Sequence, residues 1–160
     1  MPDDVHRLND EKPIDHAALT EAVRSFAVRY PFLRVTSLGK TILGRDIPVL
    51  AVGSGRRQLV YVGTHHGMEW LTGAWLLRFA DEFCAGLKSG RTVYGVCLPT
   101  FAERFTLHII PMLNPDGVEY QQHGVSEGNP LCHRVIGMNG GSADFSHWQA
   151  NARGVDLNHN

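Results

Sequence analysis

The sequence predicts an α/β fold in which helices cross over a layered sheet. Two observations carry this. Apolar segments with strand character alternate with segments of helical period, in the order strand, helix, strand. The second strand of that series, "TLHIIPMLNP", contains a nearly continuous apolar run, Ile109, Ile110, Met112 and Leu113, which suits a strand covered on both faces. With 160 residues and 43% hydrophobic content, the chain is long enough to bury a core as one domain or a large part of one.

The elements follow in order. Residues 1–14 are polar and acidic at their start and are expected to be a flexible lead-in. From Asp15 to Tyr30, Leu19, Ala22, Val23, Phe26, Ala27 and Tyr30 mark one face of a helix, with Asp15 placed to cap it and Pro31 to stop it. "RVTSLGKTILGRDIPVLAVGSG" reads as two strands about a turn at Gly44 and Arg45, and Pro48 argues that the second lies near a sheet edge. "QLVYVG" is a third strand. Leu71, Trp75, Phe79 and Phe83 then recur every four residues opposite Arg78, Asp81, Glu82 and Lys88, predicting an amphipathic helix over 69–87. From Gln121 to Asn151 the chain is rich in Gly, Asn, Ser and His without period, so a functional or disordered loop is expected.

Charge and composition exclude some classes. Fifteen Lys and Arg against 16 Asp and Glu leave no basic surplus for nucleic acid or anionic lipid. No apolar run approaches the roughly 18 residues that span a bilayer. The start "MPDDVHRLNDEKP" lacks the basic and apolar regions of a secretory signal, and Cys84, Cys97 and Cys132 are odd in number and widely spaced. Reduced thiols in a cytoplasmic protein are expected.

The chemistry concentrates in "YVGTHHGMEW". His65, His66 and Glu69 stand where a strand hands over to a helix, and ligands in open α/β sheets bind outside the carboxyl ends of strands. His66 and Glu69 are three apart, so one turn can aim an imidazole and a carboxylate at one point, with Gly67 leaving room. Zinc accepts both donor types. Spacing alone leaves two alternatives open: His65 with Glu69 at i+4, or a helix N-terminus whose Glu offsets the macrodipole. His108 reads as a satisfied core or sheet-face histidine and His133 as a surface one. "NPDG" reads as a scaffold turn, with Pro115 fixing φ and Gly117 accepting positive φ.

Five blocks in register, "YPFL", "SLGKTILGRDIPVLAVG", "GTHHGMEW", "IIPMLNPDGVEY" and "NARGVDLNHN", resemble the zinc carboxypeptidases of the carboxypeptidase A-like family over residues 17–160. The resemblance implies a mixed, mostly parallel sheet with helices on both faces, of which 1–160 would be the N-terminal part of a single catalytic domain. It also implies a Zn2+ cofactor held by His66 and Glu69, leaving His65 beside them, and a peptide substrate cleaved by a zinc-activated water. A further His ligand and the general-base Glu are expected beyond Asn160, so this chain alone is expected to be inactive. Apolar sheet edges left open by a half-domain would favour self-association.

Asn158 matches the Asn with which the family holds a substrate carboxylate, but the Arg that should follow is His159, which removes a fixed fork of donors. The Arg of the pancreatic-type enzymes between the two metal ligands is Met68. The oxyanion-stabilising Arg implied by the resemblance is assigned to Arg153, four residues after Gln149; a missing donor there costs about 2.7–4 kcal/mol of transition-state stabilisation. These departures resemble bacterial members acting on γ-D-glutamyl to diamino-acid bonds of cell-wall peptides. Two alternatives stand beside this reading: an N-acyl amino-acid deacylase, and a non-catalytic remnant serving as a binding module.

Overall fold

The computed structural model describes residues 13–159, so the lead-in 1–12 lies outside the described residues. The lead-in does not extend to residue 14: Ile14 is buried in the core, and its carbonyl accepts a hydrogen bond from Gln122 Nε2 at 2.9 Å. Helix α1 (His16–Arg29) follows, with the Asp15 carboxylate accepting from Ala18 N at 2.8 Å, and its Leu19, Val23 and Phe26 are buried. That is the predicted cap and, in the main, the predicted stripe.

Strands β1 (Arg34–Lys40) and β2 (Asp46–Gly53) form the predicted antiparallel hairpin, with Gly44 at φ 81° in the turn. Strand β3 (Arg57–Val62) leads into helix α2 (Trp70–Lys88). A small hairpin, β4 (Thr92–Val93) and β5 (Val96–Cys97), precedes the short helix α3 (Leu98–Arg104), strand β6 (Phe105–Ile110), helix α4 (Pro115–His123) and helix α5 (Cys132–Met138). No helix among the described residues is long and apolar enough to cross a membrane.

The main sheet runs β1-β2-β6-β3. It is mixed, as expected, although among the described strands only β3 and β6 pair in parallel, while β1–β2 and β2–β6 are antiparallel. Pro48 does not mark an edge strand, because β2 lies between β1 and β6. The proline is tolerated because β6 pairs with β2 only from Leu50 to Gly53, so at Pro48 no donor is required on that side.

Leu50 and Val52 of β2 and Leu107 and Ile109 of β6 pack in one cluster with Leu19, Val23 and Phe26 of α1 and Ala74, Leu77 and Cys84 of α2. Asp81 of α2 accepts from both Arg29 Nη1 (2.8 Å) and the Tyr30 hydroxyl, so α1 and α2 lie side by side.

The predicted face of α2 needs correction. Positions four apart advance about 40° beyond a full turn at each step, so a stripe of spacing four winds around the helix. Trp75 is 60% and Phe79 39% exposed, and the buried face is Gly73, Ala74, Leu77, Ala80, Phe83 and Cys84. The exposed Phe79 ring meets the exposed Tyr61 of the edge strand β3 edge to face at 5.7 Å.

The segment 121–151 is no open loop either. Tyr120, Val135, Phe145, Trp148 and Ala152 close a second small core over α4 and α5. Its helix has seven residues, too few for a period to show in the sequence, and its aromatic anchors are isolated among polar neighbours.

Candidate metal centre

The site is built at the carboxyl end of β3. Gly63 N and O continue the pairing toward Ile110 and Leu113, and Asn114 N donates to Thr64 O at 3.0 Å. Thr64 then reverses the chain. It is buried, with φ 52°, a left-handed conformation that costs a β-branched residue about 1–3 kcal/mol and persists only where its surroundings impose it. Its backbone N donates to Thr72 Oγ1 at 2.8 Å, and its hydroxyl lies 3.2 Å from Glu69 O and 3.3 Å from Pro111 O. This bond set ties the end of the sheet to the first turn of α2 and starts the histidine turn.

Helix α4 supplies the platform. Asn114 caps it by accepting from Gly117 N at 2.9 Å, while its amide nitrogen lies 3.0 Å from His65 O, 3.1 Å from Gln149 O and 3.2 Å from Ala150 O. One side chain therefore joins the histidine turn, the helix and the following loop. "NPDG" is thus a helix start, not a tight turn, and Gly117 is required by contact and not by positive φ: a Cβ there would strike the Asn114 amide and Ala150 O. Gly67 makes the same kind of close approach, its missing side chain leaving room for the Gly117 backbone and Trp148 O. Asp116, buried on α4, accepts from Thr41 Oγ1 (2.9 Å), Leu43 N (3.2 Å) and Arg45 Nη1 (2.7 Å), fixing the β1–β2 turn to the same platform.

His66 and Glu69 come together as their spacing suggests. His66 Nδ1 is 2.9 Å from Glu69 Oε1, and the other carboxylate oxygen accepts from His66 N at 3.3 Å. Glu69 occupies the N-cap position of α2 but makes no side-chain cap bond, so its carboxylate serves the histidine and not the helix end. The His65 carbonyl accepts from Asn114 Nδ2, and the ring that lies against Glu69 is that of His66.

Asp156 completes the arrangement from the far side. Its Oδ1 is 3.2 Å from His66 Nε2, and its Oδ2 is 3.1 Å from His159 Nδ1. The His159 ring stacks on His66, with centroids 6.4 Å apart and planes 13° from parallel. The hydrogen bond to Glu69, aided by Asp156 and opposed by burial, raises the His66 pKa. Backbone donation from Asn158 N, with His159 and His66 adding to it, holds the Asp156 carboxyl well below the usual carboxylate range. Asp156 therefore accepts a hydrogen bond from the Nε2–H of His66. The 2.9 Å contact to Glu69 Oε1 makes Nδ1 a donor as well, and a metal bound there would take the place of that proton while Nε2–H stays with Asp156.

An imidazole nitrogen and a carboxylate oxygen fit zinc by donor chemistry, and a carboxylate behind the histidine is the usual support for such a ligand. They are two of the three protein donors a catalytic zinc takes. Among the described residues no third His, Cys, Asp or Glu joins His66 and Glu69 in one set, although His66, Asp156 and His159 bring three donor atoms within 4.8 Å of one another.

The remaining sequence candidates are placed as follows. Asn158 and His159 are exposed and reach the site through Asp156, to which both donate their backbone N–H. Arg153 sits on an exposed turn with its backbone N bonded to Asn151 Oδ1, and among the described residues its guanidinium makes no ion pair or hydrogen bond. His108 is a sheet-face residue bonded to Gln58 Oε1 at 2.6 Å, and His133 is exposed. Sequence reasoning missed Thr64, Asn114 and Asp156. The one signal available for Asp156 was its position two residues before Asn158, inside a block already marked.

Comparison with known proteins places the chain in a family. The family described as zinc carboxypeptidase matches residues 19–160. The γ-D-glutamyl-L-diamino acid endopeptidase 1 of Lysinibacillus sphaericus is 30% identical over 151 residues, 94% of this chain and 38% of its own length. Human carboxypeptidase D is 29% identical over 146 residues, 86% of this chain and 9% of its own length. Bovine thrombin-activatable fibrinolysis inhibitor shares the fold with a TM-score of 0.59 at 17% identity, over 76% of this chain and 40% of that one. The chain spans about two fifths of the length of the first curated relatives it matches. In sequence and in fold, this chain belongs to the zinc carboxypeptidase family.

Proposed function

We propose that this chain carries two metal ligands, His66 and Glu69, of a zinc-dependent metallopeptidase, and that a further ligand and the general base are supplied by residues outside it. One observation carries the reading: Nδ1 of His66 and Oε1 of Glu69 meet at 2.9 Å while Asp156 holds the opposite nitrogen. Zinc, when bound there, lowers the pKa of a water from about 15.7 toward 7 and polarises a scissile carbonyl. Asp156 keeps the Nε2 proton of His66, and Thr64 and Asn114 keep the histidine turn at the end of β3. Arg153 is the proposed donor to the oxyanion. Asn158 and His159 bind the substrate beside the metal.

The proposed substrate is a peptide containing a γ-D-glutamyl to diamino-acid bond. The likeness to the Lysinibacillus endopeptidase supports it, and so does His159, which replaces the arginine fork suited to a free C-terminal carboxylate. In the isolated chain, the open β3 edge with Tyr61, Trp75 and Phe79 favours self-association.

The test is made on a full-length parent protein and on the purified 160-residue chain. In the parent, His66→Ala should abolish zinc retention and hydrolysis of a γ-D-glutamyl-diaminopimelyl peptide, while His65→Ala should keep the zinc. Cleavage of N-acyl amino acids in place of the peptide would favour a deacylase. Chelator-sensitive peptide hydrolysis by the 160-residue chain alone would refute the division of the site.

A further inference from the structure

Away from His66, three more donor groups converge. Asp15 at the head of α1 and Glu119 and His123 on α4 bring one ligand atom each to within 4.8 Å of the others. Glu119 and His123 are four apart, on one face of their helix. His123 stands about 12 Å along the helix axis from Pro115, so this cluster lies at the other end of the platform that carries the histidine turn.

His123 Nε2 lies 3.4 Å from Asp15 Oδ2. That is longer than a charge-assisted hydrogen bond of about 2.7–2.9 Å. It is compatible with one edge of a tetrahedron around a zinc held about 2.0–2.1 Å from each donor, about 3.3–3.4 Å, and the other donor pairs lie within 4.8 Å.

The lone pairs are also available. Asp15 uses Oδ1 to cap α1 and keeps Oδ2 for the cluster. Glu119 Oε1 accepts from His16 N at 3.0 Å and Oε2 lies 3.5 Å from Arg45 Nη2, so each oxygen has a second lone pair to spare. The charges around the cluster are Asp15, Glu119, Asp116 and Arg45; with neutral His123 they sum to minus two, which one divalent cation cancels. The positive end of α1 opposes a cation and the negative end of α4, where His123 sits, favours it.

We propose that Asp15, Glu119 and His123 form a second metal site, for a divalent ion of zinc type, that ties the start of α1 to the last turn of α4. The imidazole selects zinc-like ions over calcium and magnesium, which prefer all-oxygen shells. His123 is about half exposed, giving the ion a way in and leaving the fourth position to water.

The experiment uses the whole chain with His66→Ala, so that zinc at the first site is not counted, and reads bound zinc by metal analysis after equilibrium dialysis together with the melting temperature. One zinc per chain and a rise in Tm on zinc addition are expected. Adding His123→Ala should remove both, and Asp15→Asn should weaken binding while keeping the α1 cap, since Asn caps as well as Asp. Adding His159→Ala should change neither. Should His123→Ala fail to fold, His123→Gln serves in its place. The proposal is overturned if the His66→Ala chain binds no zinc, if its zinc survives loss of His123, or if His159→Ala removes it. Each of these leaves the assignment of His66 and Glu69 untouched.

Discussion

Asp116→Ala tests the platform directly. The carboxylate is 2% exposed and receives three donors: the Thr41 hydroxyl, the Leu43 N–H and the Arg45 guanidinium at 2.7 Å. Hydrogen bonds to a charged group contribute about 1.5–3 kcal/mol each. Arg45 is 27% exposed and can recover some hydration, so the sum of three is an overestimate. Removing one partner of a buried pair costs about 3–5 kcal/mol, and that range is an upper bound on the expected loss because Arg45 keeps Glu119 Oε2 at 3.5 Å. For a chain of this size the range corresponds to a fall in Tm of about 6–20 °C. Asp116→Asn should cost less, because its remaining oxygen still accepts from the hairpin turn. The assay is urea unfolding of the two variants and of Arg45→Met, alone and combined. A loss below about 1 kcal/mol with unchanged m, or strict additivity of Asp116→Ala and Arg45→Met, would show that this pair does not hold the hairpin to α4.

Two further outcomes are expected. Asp156→Asn in a full-length parent should weaken zinc binding about 10- to 100-fold with the fold kept, because the carboxylate that fixes the His66 tautomer is gone; unchanged affinity in a zinc competition titration would remove Asp156 from the site. Alkaline pH should destabilise the chain. Burial and Asp81 push the Tyr30 hydroxyl from 10.0 up to about 12, and burial pushes the Cys84 thiol from 9.0 up to about 12. The unfolded chain therefore loses these protons first, and the stability, complete below about pH 9, declines as pH rises toward 12. Tyr30→Phe should flatten the upper part of that decline, and an unaltered pH profile of unfolding would contradict the assignment.

Much of this molecule was readable in its residues. The Asp15 cap, the hairpin about Gly44, the buried strand around Ile109 and the His66–Glu69 pair all depend on neighbours within a few positions, where rotation per residue and turn chemistry act directly. Where the local pattern misled, long-range pairing decided. Spacing four along α2 named a face that the sheet does not cover, and Pro48 marked the stretch of a central strand that β6 does not reach.

The residues that position His66 come from far along the chain. Asn114 reaches His65 across 49 positions and Asp156 reaches His66 across 90. No period or motif spacing encodes such a contact, because it exists only once β3 and β6 pair in parallel and bring α4 and the final loop beside the histidine turn. The sequence by itself determined that a metal-binding pair could stand in the histidine segment and which short elements would carry it. Tertiary structure alone decided which nitrogen of His66 faces Glu69, since that choice is made by a carboxylate that only the folded chain brings near.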